Sequence, residues 1–170
     1  MLKLPKCLES EPRLGELTAL LEQDMRPLWS QGTLAVPHIS FHEPLARSLA
    51  FSRRCGKLRG GLDNIQTLLQ REEAGLVALR QRGVVSDGAR ISRFILVSND
   101  GSERFNRACE SMLVRYKDRL LGCRVNVSSS VFGSRFFGSE AAVKIIMVDH
   151  RDNVSKVLLS LVEPESSKNS

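Results

Sequence analysis

The chain has 170 residues and 42% of them are apolar, which excludes a disordered polymer and allows one domain with a real core plus a helical extension. Aromatic residues make up only 5%, so the core must be built from Leu, Ile, Val and Ala. Lys and Arg number 25 against 19 Asp and Glu, and the resulting +6 favours a polyanionic partner, because cationic side chains gain affinity by releasing condensed counterions.

No apolar run approaches the length of a membrane span. The basic start of the chain meets Glu9 and Glu11 with no apolar segment between, so no leader is expected and the reading is cytoplasmic. Cys7, Cys55, Cys109 and Cys123 are scattered, and no two have C-x-x-C spacing. Zinc-ribbon and redox-motif chemistry therefore lack support, and core packing as small hydrophobes is expected for Cys109 and Cys123.

In chain order, Leu14, Leu17, Leu21, Met25 and Leu28 recur at helical spacing and predict an amphipathic helix ending at Gln31-Gly32. Residues Pro37 to Pro44 read as a linker, and a domain boundary is expected there. Ser40-x-x-Glu43 resembles a capping box for a helix carrying Leu45, Leu49 and Phe51. Three glycines in Gly56-Lys57-Leu58-Arg59-Gly60-Gly61 break that helix, and another begins near Leu62. Its end is open: Arg71-Glu72-Glu73 could close it, or Leu76, Val77 and Leu79 could continue it. Gly83 to Arg90 reads as an exposed loop.

Phe94-Ile95-Leu96-Val97 is a continuous apolar run, as expected of a central strand covered on both faces. After the turn Ser98–Ser102, residues Phe105, Ala108, Cys109, Met112, Leu113 and Tyr116 have the clearest 3.6-residue period in the chain. Asp100 or Ser102 is expected to cap that helix. Cys123, Val125 and Val127 alternate with polar neighbours, a strand with one wetter face. Ser128 to Gly138 reads as a polar, glycine-bearing loop. Val143–Val148 is a further buried strand, and a last helix carries Val154, Val157, Leu158 and Leu161 up to Pro164. This alternation predicts a three-layer α/β/α sandwich around a small mixed four-stranded sheet, with strands near residues 56–60, 92–98, 122–127 and 142–148. The expected division is a helical extension over 1–40, the domain over 41–163, and a disordered tail over 164–170.

The glycine turn holds Arg53, Arg54, Lys57 and Arg59 ahead of a helix start, where backbone N–H groups favour anions. Phosphate binding and a plain helix corner with solvated cations are both open readings. The segment Leu49-Ala50-Phe51-Ser52-Arg53-Arg54-Cys55-Gly56-Lys57-Leu58-Arg59-Gly60-Gly61 resembles the opening of bacterial YlxQ-type proteins, in the ribosomal protein L-seven-Ae / L-thirty-e superfamily. The strand and turn Phe94–Glu103 are similar to the family's second motif. Phe132-Gly133, Gly138, Val143–Val148 and Val157-Leu158-Leu159 are similar to its third. The resemblance spans about Leu45 to Val162. YlxR-type domains often precede such domains, but the YlxR G-R-G segment is missing here, so residues 1–40 hold at most a remnant of that neighbour.

The resemblance implies a non-catalytic RNA-binding protein acting at the ribosome, in its assembly or in translation, with structured RNA and ribosomal proteins as partners. It implies RNA contacts by Lys57, Arg59, Gly60, Gly61, Asn64, Thr67, Ser98, Ser129, Gly133 and Arg135. The kink-turn binders' G-x-N-E-x-x-K is here Gly61-Leu62-Asp63-Asn64-Ile65-Gln66-Thr67, which lacks the final Lys. Affinity is therefore expected to lean on charge, and a protein-interaction module that lost RNA binding is the alternative. Neither cofactor, metal nor small-molecule substrate is expected. His38 and His42 are four apart but bracketed by Pro37 and Pro44, with no third ligand evident. Asp149-His150-Arg151-Asp152 sits where α/β enzymes often place catalytic groups, but helix capping by Asp149 or Asp152 explains it as well, and Ser128-Ser129-Ser130 has no nucleophile signature.

Overall fold

The run Phe94–Val97 is buried over its whole length and forms most of a central strand, as its apolar continuity requires. The computed structural model describes residues 2–84 and 90–165, which form six strands and six α-helices after a short 3-10 turn at Lys6–Leu8. They are α1 (Leu14–Glu22), β1 (Met25–Pro27), β2 (Ala35–Ser40), α2 (Glu43–Arg54), β3 (Leu58–Gly60), α3 (Leu62–Gln81), β4 (Arg93–Val97), α4 (Glu103–Arg115), β5 (Leu120–Asn126), α5 (Ser129–Phe137), β6 (Ile145–Val148) and α6 (Arg151–Ser160). One open, mixed sheet has the order β1-β2-β5-β4-β6-β3. Strands β2, β5 and β4 are parallel, while β1 and β6 are antiparallel to their neighbours β2 and β4, and β3 is antiparallel to β6.

Alternation along the strands splits the core between the two faces. Phe94 and Leu96 pack with residues of α1, α2, α5 and α6, whereas Ile95 and Val97 pack with residues of α3 and α4. The result is three layers, helix on sheet on helix. Cys109 and Cys123 lie buried in these two cores, and burial pushes the Cys109 thiol up to about 12 and the Cys123 thiol higher still.

Six strands replace the expected four, because the N-terminal segment adds two to the same sheet. The linker expected from Pro37 is, as far as Ser40, the inner strand β2, paired on both sides. Burial of Val36, Pro37 and Ile39 there overrides the loop preference of proline. The first helix stops at Glu22, well before the expected Gln31-Gly32, and Met25 enters β1. Leu17 and Leu21 pack on one face of the sheet and Leu28 on the other, so a single helix could not have buried all three.

Residues Ser128 to Gly138 are also not a loop. Phe132 and Phe136, one helical turn apart, are buried against each other and Phe41, and they hold the chain as α5. Gly138 ends it in the left-handed conformation with φ 58°. Helix α3 continues unbroken through Glu72 and Leu79 to Gln81. The loop expected at 83–90 and the tail expected at 164–170 fall largely outside the described residues. At the N-terminal edge of β4, Glu72 accepts hydrogen bonds from Arg93, at 2.7 Å to Nη2, and from Arg119, which also donates to the Leu69 carbonyl at 2.7 Å.

Candidate nucleic-acid interface

Strand register decides what meets at the sheet's C-terminal end. Val97 of β4 pairs with Ile145 at the start of β6, and Ile146 pairs with Gly60 at the end of β3. The glycine turn, the Ser98–Ser102 turn, the start of α5 and Lys144 therefore converge there. Backbone hydrogen bonds join them: Gly61 N–H donates to the Ile145 carbonyl at 3.0 Å, Ser98 N–H to the Lys144 carbonyl at 2.9 Å, and Asn99 N–H to the Val127 carbonyl at 2.9 Å. The chain leaves β4 towards the layer of α4 and leaves β5 towards the layer of α5. Open α/β sheets bind ligands where neighbouring connections part in this way.

Asp100 stands in that gap. Its carboxylate accepts from Ser98 Oγ at 2.7 Å, Ser129 Oγ at 2.8 Å and Ser129 N–H at 3.1 Å. Asp100 thus serves the first turn of α5, while Ser102 caps α4 by accepting from Phe105 N–H at 3.1 Å. Partial burial raises the Asp100 pKa, but the bonds from Ser98 and Ser129 outweigh it and hold the carboxyl below its usual range. Replacing Asp100 by Ala should cost about 1 kcal/mol at neutral pH. Because the folded-state pKa is depressed, this contribution is present above the unfolded value near 3.9 and is lost as pH falls through the folded one. Urea titrations of wild type and Asp100→Ala should differ at pH 7 and converge in acid; a gap that persists unchanged in acid would rule out the carboxylate as its source.

A groove of about 550 Å³ opens along the edge formed by β3 and the start of β6. Its floor is Gly60 and Gly61, and its walls carry Asn64, Phe105 and Phe137. A side chain at Gly60 would meet the Phe137 ring, since a Cβ there would lie 2.8 Å from Cζ. Gly61 has φ 91°, a conformation that glycine adopts without strain. Three cations line the groove, Arg53, Arg59 and Lys144. The Arg53 guanidinium lies 4.9 Å over the Phe137 ring and donates to the Phe136 carbonyl, and Lys144 Nζ lies 5.8 Å from the Phe105 ring centre.

Only part of the expected contact set gathers here. Arg59, Gly60, Gly61 and Asn64 line the groove, with Asn64 Nδ2 donating to the Gly60 carbonyl. Thr67 is exposed about one turn further along α3. Ser98 and Ser129 reach the right end of the sheet but are buried and bonded to Asp100. Gly133 is packed inside, against the Ala141 carbonyl. Arg59 pairs with Asp149 at 2.8 Å, Arg135 pairs with Glu43 at 3.3 Å, and Lys57 lies at the opposite end of β3 from Gly60. Of these three cations Arg59 is the one that also lines the groove.

The remaining polar candidates have structural partners. His42, rather than Ser40, caps α2 through Leu45 N–H, and His150, rather than Asp149 or Asp152, caps α6 through Asp152 N–H. His38 lines a second concavity of about 410 Å³ with Arg26, Asn99, Arg124 and Asn126, where burial, with Arg26 and Arg124 adding to it, lowers its pKa. Sequence reasoning does not assemble Arg53, Lys144, Phe105 and Phe137 into a site. The basic pair Arg53-Arg54 is a visible signal, whereas Lys144 and Phe137 lie in segments that read as strand and loop.

The protein is thus an open α/β/α sandwich with a groove of mixed cationic and apolar lining at one end of its sheet. No family model matches the chain, and no curated protein does. Among solved structures it is similar to one described as a protein with unknown function from Bacillus halodurans C, with 15% identity and a TM-score of 0.43 over 71% of this chain and 98% of that one. That likeness is too distant to bear on function.

Proposed function

We propose that the protein binds RNA without catalysis, in the cytoplasm and at the ribosome or during its assembly, with the groove beside the glycine turn as its site. The observation that supports this reading most is the composition of the groove: three cations, two aromatic rings and a glycine floor at one sheet end. Cationic grooves with stacking rings suit unpaired nucleotides. Arg53 and Lys144 join Arg59 as phosphate contacts, Gly60 and Gly61 allow close approach of a backbone, and Asn64 Oδ1 accepts from a base or sugar.

The test is a salt titration of binding to structured RNA bearing an unpaired loop. An Arg53→Ala, Lys144→Ala double variant should bind more weakly, with its log–log salt slope reduced by about 0.7 to 0.9 for each phosphate no longer neutralised. Lys57→Ala with Arg135→Ala should stay close to wild type. Equal affinity and slope in the groove variant would remove the groove from the reading. If the wild type fails to bind RNA at low salt, the protein-interaction module takes its place, a reading that the exposed Asp63 in the first turn of α3 favours.

A further inference from the structure

Helix α2 buries Leu45, Ala46, Leu49 and Ser52, and Phe51 is not part of that stripe. Its ring is 40% exposed. Two cations lie against it: Lys156 Nζ of α6 at 4.9 Å from the ring centre and the Arg54 guanidinium at 5.9 Å. Arg47 precedes Phe51 by one helical turn and shares its side of the helix. Among the described residues, no ion pair involves Arg47, Arg54 or Lys156. The acids one turn before Arg47 and Lys156 are directed elsewhere, Glu43 to Arg135 and Asp152 to His150.

We infer that this face of α2 and α6 is a docking platform for single-stranded RNA, with a base stacked on Phe51 and flanking phosphates held by Arg47, Arg54 and Lys156. The inference rests on the RNA reading above but not on the groove. Three cations without acidic partners supply charge complementarity to a phosphate chain. A lone exposed ring among them supplies what every base can stack on, whatever its identity. Arg and Lys reach the ring on long flexible stems, so they can yield its face to a base and keep their charge beside the phosphate. The strand must be single, because bases in a duplex are already stacked on one another. An anionic membrane would also attract the charge, but it needs an apolar stripe to bury, and this face offers Phe51 alone. The last turn of α2 joins the platform to the groove: Arg53 turns to Phe137 and the next residue, Arg54, to Phe51.

The experiment measures binding of the full chain to a fluorescein-labelled, unstructured oligouridylate, and separately to phosphatidylserine vesicles. Phe51→Ala should weaken RNA binding roughly 5- to 150-fold, the worth of one stacked base. Phe51→Trp should retain binding, and its added fluorescence should be quenched by the RNA. An Arg47→Ala, Arg54→Ala, Lys156→Ala variant should lower the salt slope by about 0.7 per cation removed. Melting temperatures should stay near wild type, since none of these side chains is in the core. Platform variants that bind as tightly as wild type overturn the inference, and if the groove variant then fails to bind, the groove reading survives alone. Weak binding by the platform variants beside normal binding by the groove variant upholds the inference and removes the groove. Phe51-dependent binding to vesicles with none to the oligonucleotide overturns the inference in favour of a membrane.

Discussion

A single methyl group added at Gly133 is expected to cost about 3 kcal/mol or more, at or beyond the upper end of the usual penalty for overpacking. A Cβ at this buried position would lie 2.0 Å from the Ala141 carbonyl oxygen and 3.4 Å from that of Ser139. Both are backbone atoms, and neither can rotate out of the way. Gly133 also accepts a hydrogen bond from Ser139 N–H, so pushing residues 139–141 outward would break what holds them to α5. Gly133→Ala should therefore lower the midpoint of urea unfolding markedly, whereas Ala at exposed Ser134 should shift stability by less than about 0.5 kcal/mol. A Gly133→Ala variant that melts with the wild type would show that α5 does not pack this closely.

Glu72→Ala is expected to cost about 2 to 3 kcal/mol. Its carboxylate is shared by Arg93 and Arg119, and all three side chains are largely shielded, with 21% exposure for Glu72 and 12% for Arg119. Removing the shared acid leaves two guanidinium groups at the base of β4, with only Glu73 at 3.5 Å from Arg119 to offset them. Breaking a fully buried pair costs about 3 to 5 kcal/mol, and the residual water contact here lowers that figure. Glu72→Gln keeps an acceptor and should lose less. The loss should change little between low and high salt, because shielded pairs are weakly screened. A salt-sensitive loss of a few tenths of a kcal/mol would mark the cluster as an ordinary surface contact.

Some of this architecture is legible in the sequence for physical reasons. Phe94–Val97 can only be a strand covered on both sides, and the period from Phe105 to Tyr116 can only be an amphipathic helix. Other elements conceal themselves behind composition. Pro37 makes β2 look like a linker, although Val36 and Ile39 alongside it are buried. Serines and two glycines make α5 look like a loop, although Phe132 and Phe136 have helical spacing. For the candidate site, the meeting of the glycine turn with the Asp100 turn follows from the resemblance, but the fate of each charge does not. Arg59 pairs with a residue 90 positions away and Arg135 with one 92 positions away. One sequence holds no sign of such pairs.

The two strands that border the sheet, β1 and β3, are only three residues long. β1 ends at Pro27, which has no N–H to offer, and β3 runs into the two glycines of the turn. A long, flat border strand is an open template on which another chain can continue the ladder, and so a route to fibrils and swapped dimers. Here such a chain would find too few free backbone groups in register to gain a foothold. The folded protein should therefore remain monodisperse at concentrations where sheets with longer open borders begin to polymerise.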